Sequence, residues 1–391
     1  MHLDHRLQTA VIEQHLHDVE RLLKCGVDAN LCTRHKEIET NHDYMLYSNV
    51  PPLYIATILG NFDIVHMLLK YGVDVDAVSD DLCPTSLSIA IYYNHIHIVE
   101  LLLRYNANVE QRNIYNNTVL HDLCDVNGMN DCTTFQQKRM IVRIREQMLR
   151  LVVKHTHNVD PLDAIGLTPL WYAIGANQPS MVKILIGVMA NTNFIFQGKK
   201  NQFLHGKYID TGMSILQYAV FEFADWTHFH DQDPDVIILL LENGADVHFK
   251  DADGDTALQV AVTTNKTLNV LQLLLDYDAD VNTVNRIGNT PMHSVCRTQE
   301  ACRHGAIDGC FLFMLFELLK NGANQSAMNN DGKTPRMLVQ QAVTFIDKMK
   351  KREKEADDRY ALKISDMTYD CLLYTSPSPR DLSTSRMPSS A

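Results

Sequence analysis

Apolar and small residues along this chain recur in one phrase. A Leu is followed three residues later by Ala, then come a polar turn, two β-branched residues, a Leu-Leu pair and an ending of the type Gly-Val-Asp-Val-Asp. One copy begins Pro52-Leu53-Tyr54-Ile55-Ala56 and runs through Gly60-Asn61, Ile64-Val65 and Leu68-Leu69 to Gly72-Val73-Asp74-Val75-Asp76. The next starts 34 residues later with Leu87-Ser88-Ile89-Ala90 and continues through Asn94-His95, Ile98-Val99 and Leu102-Leu103 to Asn106-Ala107-Asn108-Val109. A period of this length fixes the architecture before any single residue is interpreted.

The polar residues between these stretches mark where helices start and stop. Thr168-Pro169, Thr290-Pro291 and Thr334-Pro335 suit helix starts. The hydroxyl can accept from free backbone N–H groups, and Pro sits where its missing N–H costs nothing. Gly26, Gly72, Gly244 and Gly322 follow Leu-rich stretches, where a helix ends in the left-handed region that Gly enters without a steric penalty, and Asn106 serves the same purpose. Each copy therefore reads as a helix-turn-helix pair plus an extended hairpin. Such a unit is too short to bury its own apolar face, so neighbours must stack.

Further copies carry Gly166-Leu167-Thr168-Pro169-Leu170 with Ala173, Leu216 with Ala219, Gly254-Asp255-Thr256-Ala257-Leu258 with Ala261, Gly288-Asn289-Thr290-Pro291-Met292-His293 and Gly332-Lys333-Thr334-Pro335. Diverged copies start near Leu7 and at Asn117-Thr118-Val119-Leu120-His121. This pattern resembles the ankyrin repeat. The resemblance implies an all-α repeat solenoid of about eight to nine stacked units with β-hairpin fingers, spanning residues 1–345. It also implies a non-catalytic scaffold or adaptor that binds a protein partner on a concave face of finger tips and first helices.

Insertions interrupt the repeat, and insertions are where recognition can be added. Residues 32–50 and 194–212 fall where the resemblance places fingers and should lengthen them. Residues 125–146, 224–234 and 297–309 fall between the two helices of a unit and should emerge on the opposite edge. Beyond the repeats, residues 346–370 read as a charged helical cap or linker that could lead into a further domain. Residues 371–391 are similar to a translated sequencing-library adapter, in the fixed blocks Cys371–Asp381 and Ser385–Ala391, and are set aside as a non-native tail. The natural protein is expected to continue past Asp370.

Composition narrows the function classes. A net charge of −12 disfavours nonspecific nucleic-acid binding. The most apolar run, Cys310 to Phe316, breaks at Glu317 and is too short to span a membrane. The start, Met1-His2-Leu3-Asp4-His5-Arg6, lacks the apolar core of a signal peptide. Nine irregularly placed cysteines suggest reduced thiols in the cytosol or nucleus. The expected molecule is a monomer without cofactor.

Two clusters have metal-ligand chemistry: Cys296, Cys302, His304 and Cys310, whose residue types suit zinc, and Asp225, His228, His230, Asp231, Asp233 and Asp235. Neither has a familiar ligand spacing, so half-buried Cys and a solvated loop are the adopted readings and no metal is expected. His121 and His293 each stand three residues after a Thr, where a structural hydrogen bond at a helix start is a better reading than catalysis. No phosphate-cradling loop, nucleophile elbow or paired protease His motif occurs.

Alignment to the family places finger tips at Asp81, Ile114, Tyr115, Ile165, Asp253, Arg286, Ile287 and Asp331. Tyr92 and Tyr93 end a first helix, and Trp171 replaces the usual His of its unit. Exposed aromatics and Arg make good interface anchors. The candidate partner-binding residues are therefore Tyr92, Tyr93, Ile114, Tyr115, Trp171, Asp253, Arg286 and Ile287. Asn282, in Leu274-Leu275-Asp276-Tyr277-Asp278-Ala279-Asp280-Val281-Asn282, resembles the substrate position of the asparaginyl hydroxylase that modifies ankyrin repeats. The alternative function is the regulatory or substrate-recognition part of a larger protein, such as a ubiquitin-ligase adaptor, channel, receptor or enzyme, whose effector domain lies beyond residue 370.

Overall fold

The computed structural model describes residues 2–30, 33–34, 48–78, 84–126, 135–198, 202–204, 207–209, 211–226, 234–264, 268–297 and 309–338. Asp81, Cys302, His304, His228, His230, Asp231, Asp233 and the segments 346–370 and 371–391 lie outside them. Among the described residues helices pair in chain order, and two compact units result: residues 1–215 with 242–245, and residues 216–241 with the chain from 246 onward.

The first unit pairs α1 (His2–Ile12) with α2 (Leu16–Lys24), α3 (Pro52–Ile58) with α4 (Phe62–Lys70), α5 (Ser86–Tyr92) with α6 (Ile96–Arg104), α7 (Val119–Cys124) with α8 (Phe135–Val152), and α9 (Pro169–Gly175) with α10 (Pro179–Gly187). First helices pack on first helices and second on second, as in α3 on α5 and α4 on α6. The Leu-Leu pairs form the seams: Leu68, Leu69, Leu102 and Leu103 are buried, as are Ile64, Val65, Ile98 and Val99. The second unit follows the same plan with α11 (Ile215–Trp226), α12 (Asp235–Glu242), α13 (Ala257–Thr264), α14 (Leu268–Asp276), α15 (Pro291–Arg297) and α16 (Gly309–Lys320). A further helical turn opens at residues 335–338, after Thr334.

Helix ends match the sequence signals. Gly72 and Gly244 take positive φ at helix C-termini, and Asn106 does the same at φ 60°. Pro169 stands in the first turn of α9. The fold is thus an all-α repeat solenoid.

The insertions at 32–50 and 194–212 carry β structure among the described residues. β1 (Thr33–Arg34) pairs antiparallel with β2 (Ser48–Val50), and β3 (Gln202–Leu204) with β4 (Lys207–Ile209), so both expected long fingers contain a two-stranded hairpin. The insertion at 125–146 behaves otherwise than expected. From Phe135 it is helix, and it makes α8 18 residues long where α4 and α6 have nine. The cause is an apolar helical stripe of Ile141, Ile144 and Met148, together with Arg145. Arg145 is buried, and its Nη1 donates to the carbonyls of Asp122 (2.8 Å) and Asp125 (2.9 Å) at the end of α7.

Candidate partner-binding site

Among the described residues five finger tips share one local design. An Asn or Asp opens each turn, and its Oδ1 accepts from the backbone N–H groups two and four residues on. Asn113 accepts from Tyr115 and Asn117, Asp163 from Ile165 and Leu167, and Asp251 from Asp253 and Asp255. Asn285 accepts from Ile287 and Asn289, and Asn329 from Asp331 and Lys333. Such side-chain-to-backbone bonds replace a ladder and hold the turn by itself. The residue three places after the Asn or Asp is in the left-handed region in all five, as Asn116, Gly166, Gly254, Gly288 and Gly332. At Gly288 the packing is as demanding as the angle, because a Cβ there would stand 2.7 Å from the backbone nitrogen of Asn330.

Consecutive tips are then tied backbone to backbone. Ala164 N–H donates to the Tyr115 carbonyl at 3.0 Å, Arg286 to Asp253 at 2.9 Å and Asn330 to Ile287 at 3.1 Å. Of the residues that follow the opening Asn or Asp, Ile114 and Tyr115 in the first unit and Asp253, Arg286 and Ile287 in the second are exposed, whereas Ile165 is half-buried. Tyr115 is 66% exposed and Ile114 53%. Beside them Arg112 and Asn116 hold the Leu162 carbonyl at 2.6 and 3.0 Å, and the Leu162 side chain is exposed too.

Behind the tips a second ladder joins neighbouring repeats at five junctions among the described residues. His121 Nε2 reaches the Leu167 carbonyl (3.2 Å), while its Nδ1 accepts from Thr118 N–H at 3.1 Å. His293 does the same between Thr290 and the Lys333 carbonyl. Gln259 is equivalent: its Oε1 accepts from Thr256 N–H and its Nε2 donates to the Asn289 carbonyl. Gln217 donates to Asp255 and Gln8 to Val50 in the same manner. The acceptor is each time the residue just before the next helix start. His121 and His293 are fully buried, and burial lowers both pKa values from the ordinary imidazole range, as befits neutral structural groups.

Trp171 breaks the ladder and corrects an expectation. It is not an exposed anchor; it is fully buried, T-shaped against Phe194 (6.1 Å between ring centroids) and tilted on Phe196 (5.9 Å). Both Phe residues belong to the 194–212 finger. The carbonyl that a His would have reached, that of Met213, instead accepts from Phe196 N–H at 2.9 Å. Thr168 Oγ1, deprived of an imidazole, has no hydrogen-bond partner among the described residues. Tyr92 is exposed and meets half-buried Tyr93 edge-on, and Tyr93 in turn stacks on His95.

Cys296 is buried and its thiol is pushed up to about 12, the behaviour of a core residue. Among the described residues no three His, Cys, Asp or Glu side chains converge as a metal site, and no helix is long and apolar enough to cross a membrane.

Family models for ankyrin repeats match residues 7–113, 53–135 and 227–308, and a single ankyrin repeat matches 165–195, together more than half of the chain. The chain belongs to the ankyrin-repeat family. Ankyrin repeats serve as protein-protein interaction modules, which makes the projecting tips the natural place to look for contacts. Individual relatives are distant. The chain is 28% identical over 182 residues to the ankyrin repeat protein FPV031 of fowlpox virus, covering 40% of this chain and 53% of that one. It is 24% identical to palmitoyltransferase AKR1 of Lachancea kluyveri, covering 59% of this chain and 26% of the enzyme. It is 23% identical to the mouse B-cell lymphoma 3 protein homolog, covering 65% and 48%. The human ASB11 ankyrin repeat domain matches 67% of this chain and 98% of its own at 18% identity, with a TM-score of 0.45. This ankyrin chain therefore spans about a quarter to half the length of the curated relatives named here.

Proposed function

We propose that this ankyrin-repeat chain is a non-catalytic scaffold or adaptor that captures a protein partner through its finger tips. One observation carries the reading: Ile114 and Tyr115 are held outward by a turn whose backbone is fixed by Asn113 and by the next finger. Large apolar side chains on a rigid frame lose little entropy on binding, and that is what makes a hot spot. Arg286 and Ile287, beside Asp253, supply a second, more polar tip in the other unit. Tyr92 extends the apolar contact of the first unit toward the end of α5. The acidic balance and the lack of a familiar catalytic motif agree with binding in place of chemistry, in the cytosol or nucleus.

A larger protein is the second reading, favoured by the modest share of its relatives that the chain covers. The repeats would then be the substrate-recognition or regulatory arm of a ligase adaptor, channel, receptor or enzyme whose effector region follows residue 370. The test is comparative capture from cell extract with the wild-type chain and with I114A/Y115A. Partners bound through the tips are lost from the variant while its thermal transition is unchanged. An identical set of captured proteins would refute the finger-tip reading.

A further inference from the structure

We infer that the extension of α8 is a docking ridge for an extended acidic segment of a protein partner, separate from the finger tips. The extra turns, Phe135 to Arg145, are built into the fold by the buried Arg145 and by half-buried Ile141, Val142 and Ile144. They nevertheless present Lys138, Arg139 and Arg143 to solvent, and Arg150 continues the row. At 100° per residue, Arg139, Arg143 and Arg150 fall within about 40° of one another on the helix circumference, so they form a single stripe.

The charge pattern on this helix is costly in the free protein. Arg139 and Arg143 are like charges one turn apart, an arrangement that destabilises a helix. Lys138 and Arg139 lie near the N-terminal end, where the backbone dipole disfavours cations. Glu146, the one acidic residue of α8, is held by the Ser180 hydroxyl. A ligand bringing carboxylates relieves both repulsions, in a chain whose own net charge is −12.

Spacing favours a strand-like ligand. Arg139 to Arg143 advances about 6 Å along the helix and Arg143 to Arg150 about 10 Å. The first is close to two residues of extended peptide at about 3.3 Å each, and the long Arg150 side chain can lean back to a carboxylate two residues further on, on the same face of the peptide. Carboxylates at positions j, j+2 and j+4 share one face of an extended peptide, and each would meet a guanidinium, the planar fork that pairs with them in bidentate fashion. Met140, 61% exposed at the edge of the stripe, offers an apolar contact between the charges.

The test is fluorescence anisotropy on the full chain. The probe is a labelled 12-residue peptide with Glu at j, j+2 and j+4, a Leu between them and Ser elsewhere, beside its Gln counterpart and a single-stranded oligonucleotide of equal charge. The Glu peptide binds, more weakly as salt rises, and the Gln peptide does not. R139E/R143E/R150E weakens binding roughly tenfold or more, whereas R6E/K70E/R336E, which reverses exposed charges elsewhere, leaves it within about twofold. Circular dichroism confirms that both variants keep their helix content. Equal loss in the two variants, no binding of the Glu peptide, or tighter binding of the oligonucleotide to the ridge would each overturn the proposal.

Discussion

Gln259 and Asn289 are joined across two neighbouring repeats by a 2.8 Å hydrogen bond from the side-chain amide to the backbone carbonyl, and His293 makes the same connection to Lys333 at 3.0 Å. Glutamine and histidine are interchangeable here because each puts an acceptor on its own helix start and a donor on the next unit. The bond spans 30 residues in one case and 40 in the other, so the ladder holds the spatial repeat constant while the chain between varies. Replacing His293 by Gln should therefore be nearly neutral. Replacing it by Ala leaves a buried carbonyl and N–H unpaired and should cost about 1–3 kcal/mol, measured by urea denaturation.

The same histidines make stability depend on pH. Burial lowers the pKa of His121 and His293, so the unfolded chain binds more protons than the folded one between the folded and unfolded values. Their contribution is complete above the unfolded value, about 6.5, and is lost as pH falls below it. Asp122 opposes this, because burial raises its carboxyl to about 6 and protonation there favours the folded state. The difference between wild type and H121Q/H293Q isolates the imidazole share. The wild type should lose more stability than the variant between about pH 7 and 5, and equal slopes would refute the assignment.

Leu102 and Leu274 sit in second helices of different units, and both are completely buried. Truncating either to Ala should destabilise by about 2–5 kcal/mol. Because each repeat touches only its neighbours, the two variants should melt different parts of the chain first, resolved by hydrogen exchange. A change under about 0.5 kcal/mol in either would mean that its helix is not seated as described.

Much of this was legible in the sequence, for a local reason. Thr-Pro starts, left-handed Gly positions and Leu-Leu seams depend on contacts within a repeat or with a repeat of the same pattern, so alignment to the family was enough to put Ile114, Tyr115, Arg286 and Ile287 at the expected tips. The structural role of His121 and His293 was legible in the same way. Trp171 was not, because its partners Phe194 and Phe196 come from an insertion with no counterpart in other units. The α8 extension could have been found from Ile141, Ile144 and Met148, a helical stripe inside what reads as a loop. The Asn or Asp five residues before the Thr is equally visible at Asn113, Asp163, Asp251, Asn285 and Asn329, once its two hydrogen bonds are known.

Trp171 should be a stability residue whose loss loosens one finger. Trp171→Ala removes the ring on which Phe194 and Phe196 rest and should cost about 3–5 kcal/mol. Trp171→His should not recover the ladder, since the Met213 carbonyl already accepts from Phe196. Limited proteolysis should then cut within 194–212 faster in both variants. Wild-type resistance in Trp171→His would show that the imidazole can take up the usual link after all.

Asn282 is proposed as a hydroxylation site, and its surroundings set the conditions. The side chain is exposed yet doubly bonded to the following repeat: Nδ2 donates to the Gly322 carbonyl at 3.1 Å and Oδ1 accepts from Asn324 N–H at 2.8 Å. An oxygenase that needs an extended peptide must first break both, so modification should follow local opening, which costs less than global unfolding. Incubation with the ankyrin-directed asparaginyl hydroxylase should add one oxygen to the Asn282 peptide by mass spectrometry, and the added oxygen should disappear in Asn282→Ala. A second variant, Asn324→Pro, removes the N–H that holds Oδ1 and should raise the yield. A peptide left unmodified in both the wild type and Asn324→Pro, under conditions that modify a control ankyrin repeat, would exclude the site.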